Sequence, residues 1–77
     1  MAKSLSEITL GEIVIVESIT HPYLSNKLVE MGMQAGTELE LLYKAPFGDP
    51  IAICMHGSII SLRLDEAKFI HVSSIPI

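Results

Sequence analysis

Three histidines, one cysteine and a scatter of hydroxyls are the residues of this sequence whose types suit chemistry. Nucleophilic catalysis needs a nucleophile, a base and an orienting group within hydrogen-bond reach. Ser58, Ser61 and Thr37 read as ordinary strand residues, while His21, His56 and His71 fall at a helix start, a hairpin turn and a strand end. Those are solvated places. The phosphate-binding pattern Gly-x-x-x-x-Gly-Lys-[Ser/Thr] does not occur, so GTP hydrolysis by this chain is not expected. No catalytic or cofactor-binding residue is assigned, and the chain is expected not to be an enzyme.

Metal chemistry needs three or four His, Cys or carboxylate donors in most zinc or iron sites. The histidines show no His-x-x-x-His spacing. Cys54 and His56 lie on the same side of a strand by alternation and could share one ion. A buried thiol beside an exposed turn histidine is the simpler account, so no metal ligand is assigned. A small ligand- or transition-metal-sensing domain stays as the alternative function.

Bulk properties narrow the classes further. Residues 1–77 are expected to form one domain with one core. The single cysteine allows no internal disulfide and suits a reducing compartment. The apolar runs, Ile13 to Val16 and Ile51 to Met55, fall far short of the roughly 20 residues of a membrane span. The N-terminus lacks a signal-peptide pattern, so a cytoplasmic location is expected. With a net charge of −4 and five scattered cations, nucleic acid is not an expected partner, and a membrane is met only through another protein.

The elements that would position these residues are short and punctuated by Gly and Pro. Leu5 to Leu10 suits one helical turn capped by Ser4 or Ser6, with Leu5, Ile8 and Leu10 under the core. Glu12 to Ile19 is a β-branched strand. Leu24, Leu28 and Met31 then recur at i, i+4, i+7, giving a helix over about residues 21 to 31. Pro22 suits its first turn, Thr20 or His21 its cap and Gly32 its end. Strands resume at Thr37 to Lys44, with Leu39, Leu41 and Tyr43 on one face. Ala45 to Pro50 is a turn in which Asp49 is expected to act as cap. Ile51 to Met55 and Ser58 to Leu64 flank the two-residue turn His56-Gly57. Asp65 is expected to cap a single helical turn, and Lys68 to Val72 packs either Phe69 or the Ile70/Val72 pair. The result is a mainly β chain: a small five-stranded barrel, closed to remove its edges, with one helix between strands 1 and 2.

Four stretches carry a resemblance. They are Leu5-Ser6-Glu7 with Leu10-Gly11-Glu12, Lys27 to Met33, Ala45 to Pro50, and Ser61 to Ala67. Together they resemble ferrous iron transport protein A, the FeoA family, over residues 5 to 72. Lys27 stands where that family often has arginine, and Phe47 where it often has leucine. The resemblance implies an SH3-like barrel, a role in bacterial ferrous iron uptake, and a partner, the cytosolic part of the FeoB GTP-binding transporter.

Partner binding would draw on apolar residues that a small barrel cannot all internalise. Exposed apolar patches often mark interfaces, and Phe and Met are enriched in interface cores. The expected partner-binding set is Leu24, Lys27, Leu28 and Met31 on the helix, Met33 after it, and Phe47 and Asp49 in the Ala45 to Pro50 turn. Met33 and Phe47 could instead plug the barrel ends. Weak self-association through a barrel edge is a further expectation.

Overall fold

A computed structural model describes residues 3–75. The chain opens with β1 (Lys3–Ser4), a 3-10 turn (Leu5–Glu7) and β2 (Ile13–Ile19). Helix α1 (Pro22–Glu30), β3 (Glu38–Lys44), β4 (Ile51–Met55), β5 (Ser58–Leu62), the one-turn helix α2 (Leu64–Ala67) and β6 (Ile70–Ser74) follow. The strands form one antiparallel sheet in the order β1-β6-β2-β3-β4-β5. The class is mainly β, as expected, with two differences. The sheet has six strands, because Lys3 and Ser4 pair with Val72 and His71 over a segment too short to show a period. It is also not closed by hydrogen bonds: β1 and β5 are its two edges.

Alternation sends one face of each strand inward. Val14 and Val16 of β2, Leu39 and Leu41 of β3, Ile51, Ile53 and Met55 of β4, and Ile70 and Val72 of β6 are buried. The last strand therefore packs the Ile70/Val72 pair, and Phe69 stays 40% exposed. Leu5 and Ile8 are buried beside them, but Leu10 is 65% exposed. Leu10 directly precedes Gly11, whose N–H is fixed to the Leu41 carbonyl at the strand entrance, so it projects outward with the turn. Tyr43 also departs from the expected inward face. A register shift between Leu41 and Tyr43 inserts one extra residue, and such a bulge re-aims the side chains beyond it.

The expected cap at Asp65 lies elsewhere too. Arg63, in extended conformation, is the N-cap of α2, and its N–H donates to Glu66 Oε1 at 3.0 Å. Asp65 stands inside the first turn, where a carboxylate complements the helix dipole. The first 3-10 turn is built the same way, with the Ser4 N–H donating to Glu7 Oε2 at 2.9 Å.

One ionic staple ties the start of the chain to its end. Lys3 Nζ lies 2.7 Å from Glu12 Oε2, the Thr9 N–H donates to Glu12 Oε1 at 3.0 Å, and Ser74 Oγ donates to Glu12 at 3.3 Å. The Lys3 ammonium first, then the Thr9 N–H, hold the Glu12 carboxyl at about 2 against an ordinary 4.5. A depressed carboxyl pKa stabilises the fold above about pH 4.5, and that contribution fades as pH falls toward 2. Glu12→Gln should therefore lower stability at pH 7 by on the order of 1 kcal/mol, since the site is near the surface. The parent and variant curves should converge as pH approaches 2. Denaturant unfolding at pH 7, 4 and 2.5 checks this; equal stability at pH 7 would refute it.

Candidate partner-binding surface

Helix α1 is specified at both ends. Pro22 occupies its first turn, and His21 caps it, Nδ1 accepting the Leu24 N–H at 3.3 Å. At the other end the Leu28 carbonyl accepts the Met33 N–H at 2.9 Å and the Val29 carbonyl accepts the Gly32 N–H at 2.9 Å. Gly32 sits at φ +98°, the left-handed position this closure requires. The hydrophobic contact that accompanies such a C-terminus turns Met33 back onto the helix. Met33 is accordingly fully buried with Leu24 and Leu28.

Those three residues were expected to be available to a partner, and they are not. Leu24, Leu28 and Met33 belong to the core, at 6%, 1% and 0% exposure. The helical stripe ends before Met31, which is the C-cap and stays 44% exposed. Of the expected set, Lys27, Met31, Phe47 and Asp49 are at the surface.

Helix α2 links two of these four, Lys27 and Asp49. Lys27 Nζ reaches Glu66 Oε2 at 3.8 Å, joining α1 to α2. The Leu64 N–H, the first of α2, donates to Asp49 Oδ1 at 3.0 Å, joining α2 to the β3–β4 loop. Asp49 therefore serves the helix fifteen residues downstream rather than its own turn. The loop is braced as well by the Ala45 N–H on the Pro50 carbonyl at 3.1 Å and the Gly48 N–H on the Ala45 carbonyl at 2.7 Å. Within that brace Phe47 is 98% exposed, so it plugs nothing.

Between α1 and α2 lies a cleft of about 240 Å³, lined by His21, Tyr23, Leu24, Lys27, Glu66 and Phe69. His21 and Phe69 meet edge to face, ring centroids 5.0 Å apart at 67°. Tyr23, outside the expected set, is 79% exposed at its rim. It follows Pro22 directly, so the helical period that buries Leu24 and Leu28 turns it outward. Tyr23 and Phe69 thus offer two exposed rings at the α1–α2 cleft, and Phe47 a third on the loop that Asp49 ties to α2.

A second, larger cavity of about 590 Å³ lies over β3 and β4, with Glu38, Glu40, Cys54 and His56 in its lining. Cys54 is half-buried rather than buried, because it faces outward opposite Glu40 while Ile53 and Met55 face in. Alternation does place Cys54 and His56 on this one cavity. Among the described residues, no three His, Cys, Asp or Glu side chains gather closely enough to hold a metal ion. His71 is taken by Thr20, Oγ1 to Nε2 3.2 Å. No helix among the described residues is long and apolar enough to cross a membrane.

The strand order, the two short helices and the single core define a small SH3-like β domain. Solved structures agree: a manganese-dependent transcriptional repressor shares the fold at a TM-score of 0.88 and 22% identity, over 96% of this chain and 37% of that one. The FeoA domain model matches residues 3–74, and the chain belongs to the FeoA family. A FeoA-like protein from Clostridium acetobutylicum is 36% identical, with a TM-score of 0.89 over 99% of this chain and 90% of that one. FeoA from Stenotrophomonas maltophilia, solved with zinc and described as an SH3 domain protein suggested to act as a ferrous iron transport activating factor, is 31% identical. Its TM-score is 0.80, over 91% of this chain and 88% of that one. Comparison with curated protein sequences finds no match.

The bracing of the loop has a measurable consequence. Asp49→Ala leaves the first N–H of α2 without its side-chain acceptor and should cost about 1 kcal/mol, in the range of a lost helix cap. Phe47→Ala should change stability by less than about 0.5 kcal/mol, because the ring is fully solvated. Thermal unfolding of both variants distinguishes the roles; a larger loss for Phe47→Ala than for Asp49→Ala would contradict them.

Proposed function

We propose that this chain is a non-catalytic cytoplasmic accessory protein of bacterial ferrous iron uptake. It binds the cytosolic part of the FeoB GTP-binding transporter and supports that protein's assembly or activity. Family membership supplies the iron-uptake setting. The observation that carries the binding role is Phe47, presented almost wholly to solvent on a loop that Asp49 anchors to α2. A ring held out on a braced loop loses little conformational freedom when a partner covers it.

The neighbouring cleft supports the same reading. Tyr23 and Phe69 supply aromatic surface, and the Lys27–Glu66 pair frames it with charge. That is the composition of an interface core with a polar rim. Asp49 acts here by positioning the loop, and Leu24, Leu28 and Met33 by holding α1 in place. Direct contact falls to Tyr23, Lys27, Met31, Phe47 and Phe69.

Affinity of the chain for the transporter's full cytosolic portion, measured with GTP, with GDP and without nucleotide, tests the proposal. Phe47→Ala and Tyr23→Ala should each weaken binding tenfold or more, about 1.4 kcal/mol or above, with unfolding midpoints unchanged. Leu42→Ala, an exposed apolar change outside the cleft lining, should leave binding as it is. No association under any nucleotide condition would sink the reading.

A further inference from the structure

One edge of the sheet is β5, and the turn before it fixes which of its backbone groups are already bonded. His56 and Gly57 both adopt positive φ, 53° and 81°. In a two-residue hairpin of that kind the flanking pair, here Met55 and Ser58, exchanges both hydrogen bonds. Alternation along the register makes Ile53–Ile60 and Ile51–Leu62 bonded pairs in turn. The N–H and C=O groups of Ile59 and Ser61 therefore point away from β4, toward an edge that no other strand among the described residues occupies. Among the described residues no other hydrogen bond takes them up.

Edges of this kind are normally blunted by Lys, Pro or a bulge. Ser58–Leu62 has no charged residue, no proline and an unbroken register. Ile59 is 71% exposed on its outer face. It ends a row of residues, Ile13, Glu40, Cys54 and Ile59, that stand opposite one another across four strands. An added strand would extend that row and set its own side chain about 4.5–5.5 Å from Ile59.

We propose that β5 is a strand-addition site for an extended segment of the partner, β-branched or aromatic where it faces Ile59 and free of acidic residues. The proposal rests on the transporter-binding reading above. Acidic side chains are disfavoured because Glu40 stands in the same row and the chain carries a net charge of −4.

Area decides between a segment and a second folded copy. A stable dimer buries about 800 Å² on each partner, a sixth of this chain's 4821 Å². A five-residue edge about 17 Å long matches an extended peptide and falls short of that area. The edge is also continuous with the surface already described. Leu62 pairs with Ile51 next to the Phe47 loop, and Leu64 is bonded to Asp49 of that loop. A strand laid on β5 thus ends where the chain enters α2, at the Leu64 N–H that Asp49 holds.

Amide hydrogen exchange of the chain, alone and saturated with the transporter's cytosolic portion, tests the assignment. Ile59 and Ser61 amides should exchange at least tenfold more slowly in the complex. Ser61→Pro removes an outward N–H at an edge position where proline is tolerated, and Ile59→Lys adds an edge-blunting charge. Each should weaken binding tenfold or more. Intact binding with unchanged exchange at Ile59 and Ser61 overturns strand addition and leaves transporter binding standing. Absence of binding overturns both. Protection that grows with the chain's own concentration, without transporter, assigns the edge to a second copy and overturns the proposal. The exchange measurement on the unaltered chain decides even if Ser61→Pro fails to fold.

Discussion

An open sheet this small needs something other than hydrogen bonds to shut its interior, and the elements outside it supply that: α1 packs on β2, and the 3-10 turn after β1 meets α2 after β5. The inward faces of β2 to β6 present aliphatic side chains to one another, but β1 and β5 do not pair. Leu24, Leu28 and Met33 complete the cluster from the helix and its C-terminal lock. The lock is a backbone device: a left-handed Gly32 and a Met33 N–H on the Leu28 carbonyl. A residue with a Cβ at position 32 would strain that conformation and loosen Met33 with it. Burial of these three side chains removes apolar surface at roughly 25 cal/mol per Å², the largest favourable contribution a chain of this size can draw on.

That use of α1 settles what its surface has left to offer. The stripe that reads as a docking edge is consumed by the core, and the solvent keeps Tyr23, Lys27 and Met31. Helix α2, only one turn long, then becomes the hub. Its first N–H is held by Asp49 and its Glu66 reaches Lys27, so it aligns the Phe47 loop with the exposed side of α1. Both links are near the surface and individually weak. Their effect is positional: they fix where exposed rings stand, while the core supplies the stability.

Much of this was legible in the sequence wherever a period of two or of 3.6 residues governs. Ile51, Ile53 and Met55, the α1 stripe as far as Leu28, and the His56-Gly57 turn follow from spacing alone. What escaped depends on single residues acting across the fold. Two residues of β1 carry no period, and the bulge that turns Tyr43 outward leaves no local mark. Asp49 looks like a turn residue because its partner, the Leu64 N–H, is brought near only by the β4–β5 hairpin. Met31 and Met33 show the limit most sharply. Both are apolar and two positions apart, and the left-handed Gly32 between them sends one to the surface and the other to the core.

The free edge of β5 bears on what opposes pairing between two copies of the chain. With Ile59 and two unbonded pairs of backbone groups at an uncharged edge, self-pairing is opposed by little within the strand itself. A net charge of −4 supplies a general repulsion between copies, which salt screens beyond about 10 Å. The outer-face row leading to that edge places the Glu40 carboxylate one strand in from Cys54 and two in from Ile59. Two copies paired through β5 would bring two such rows, and two Glu40 carboxylates, onto one continuous sheet face. Neighbouring strands lie about 4.8 Å apart, so those carboxylates would remain separated by several strands and repel only weakly. Short length is then the main safeguard. Five residues give too few hydrogen bonds and too little area to hold two folded bodies together, yet enough to register one extended segment.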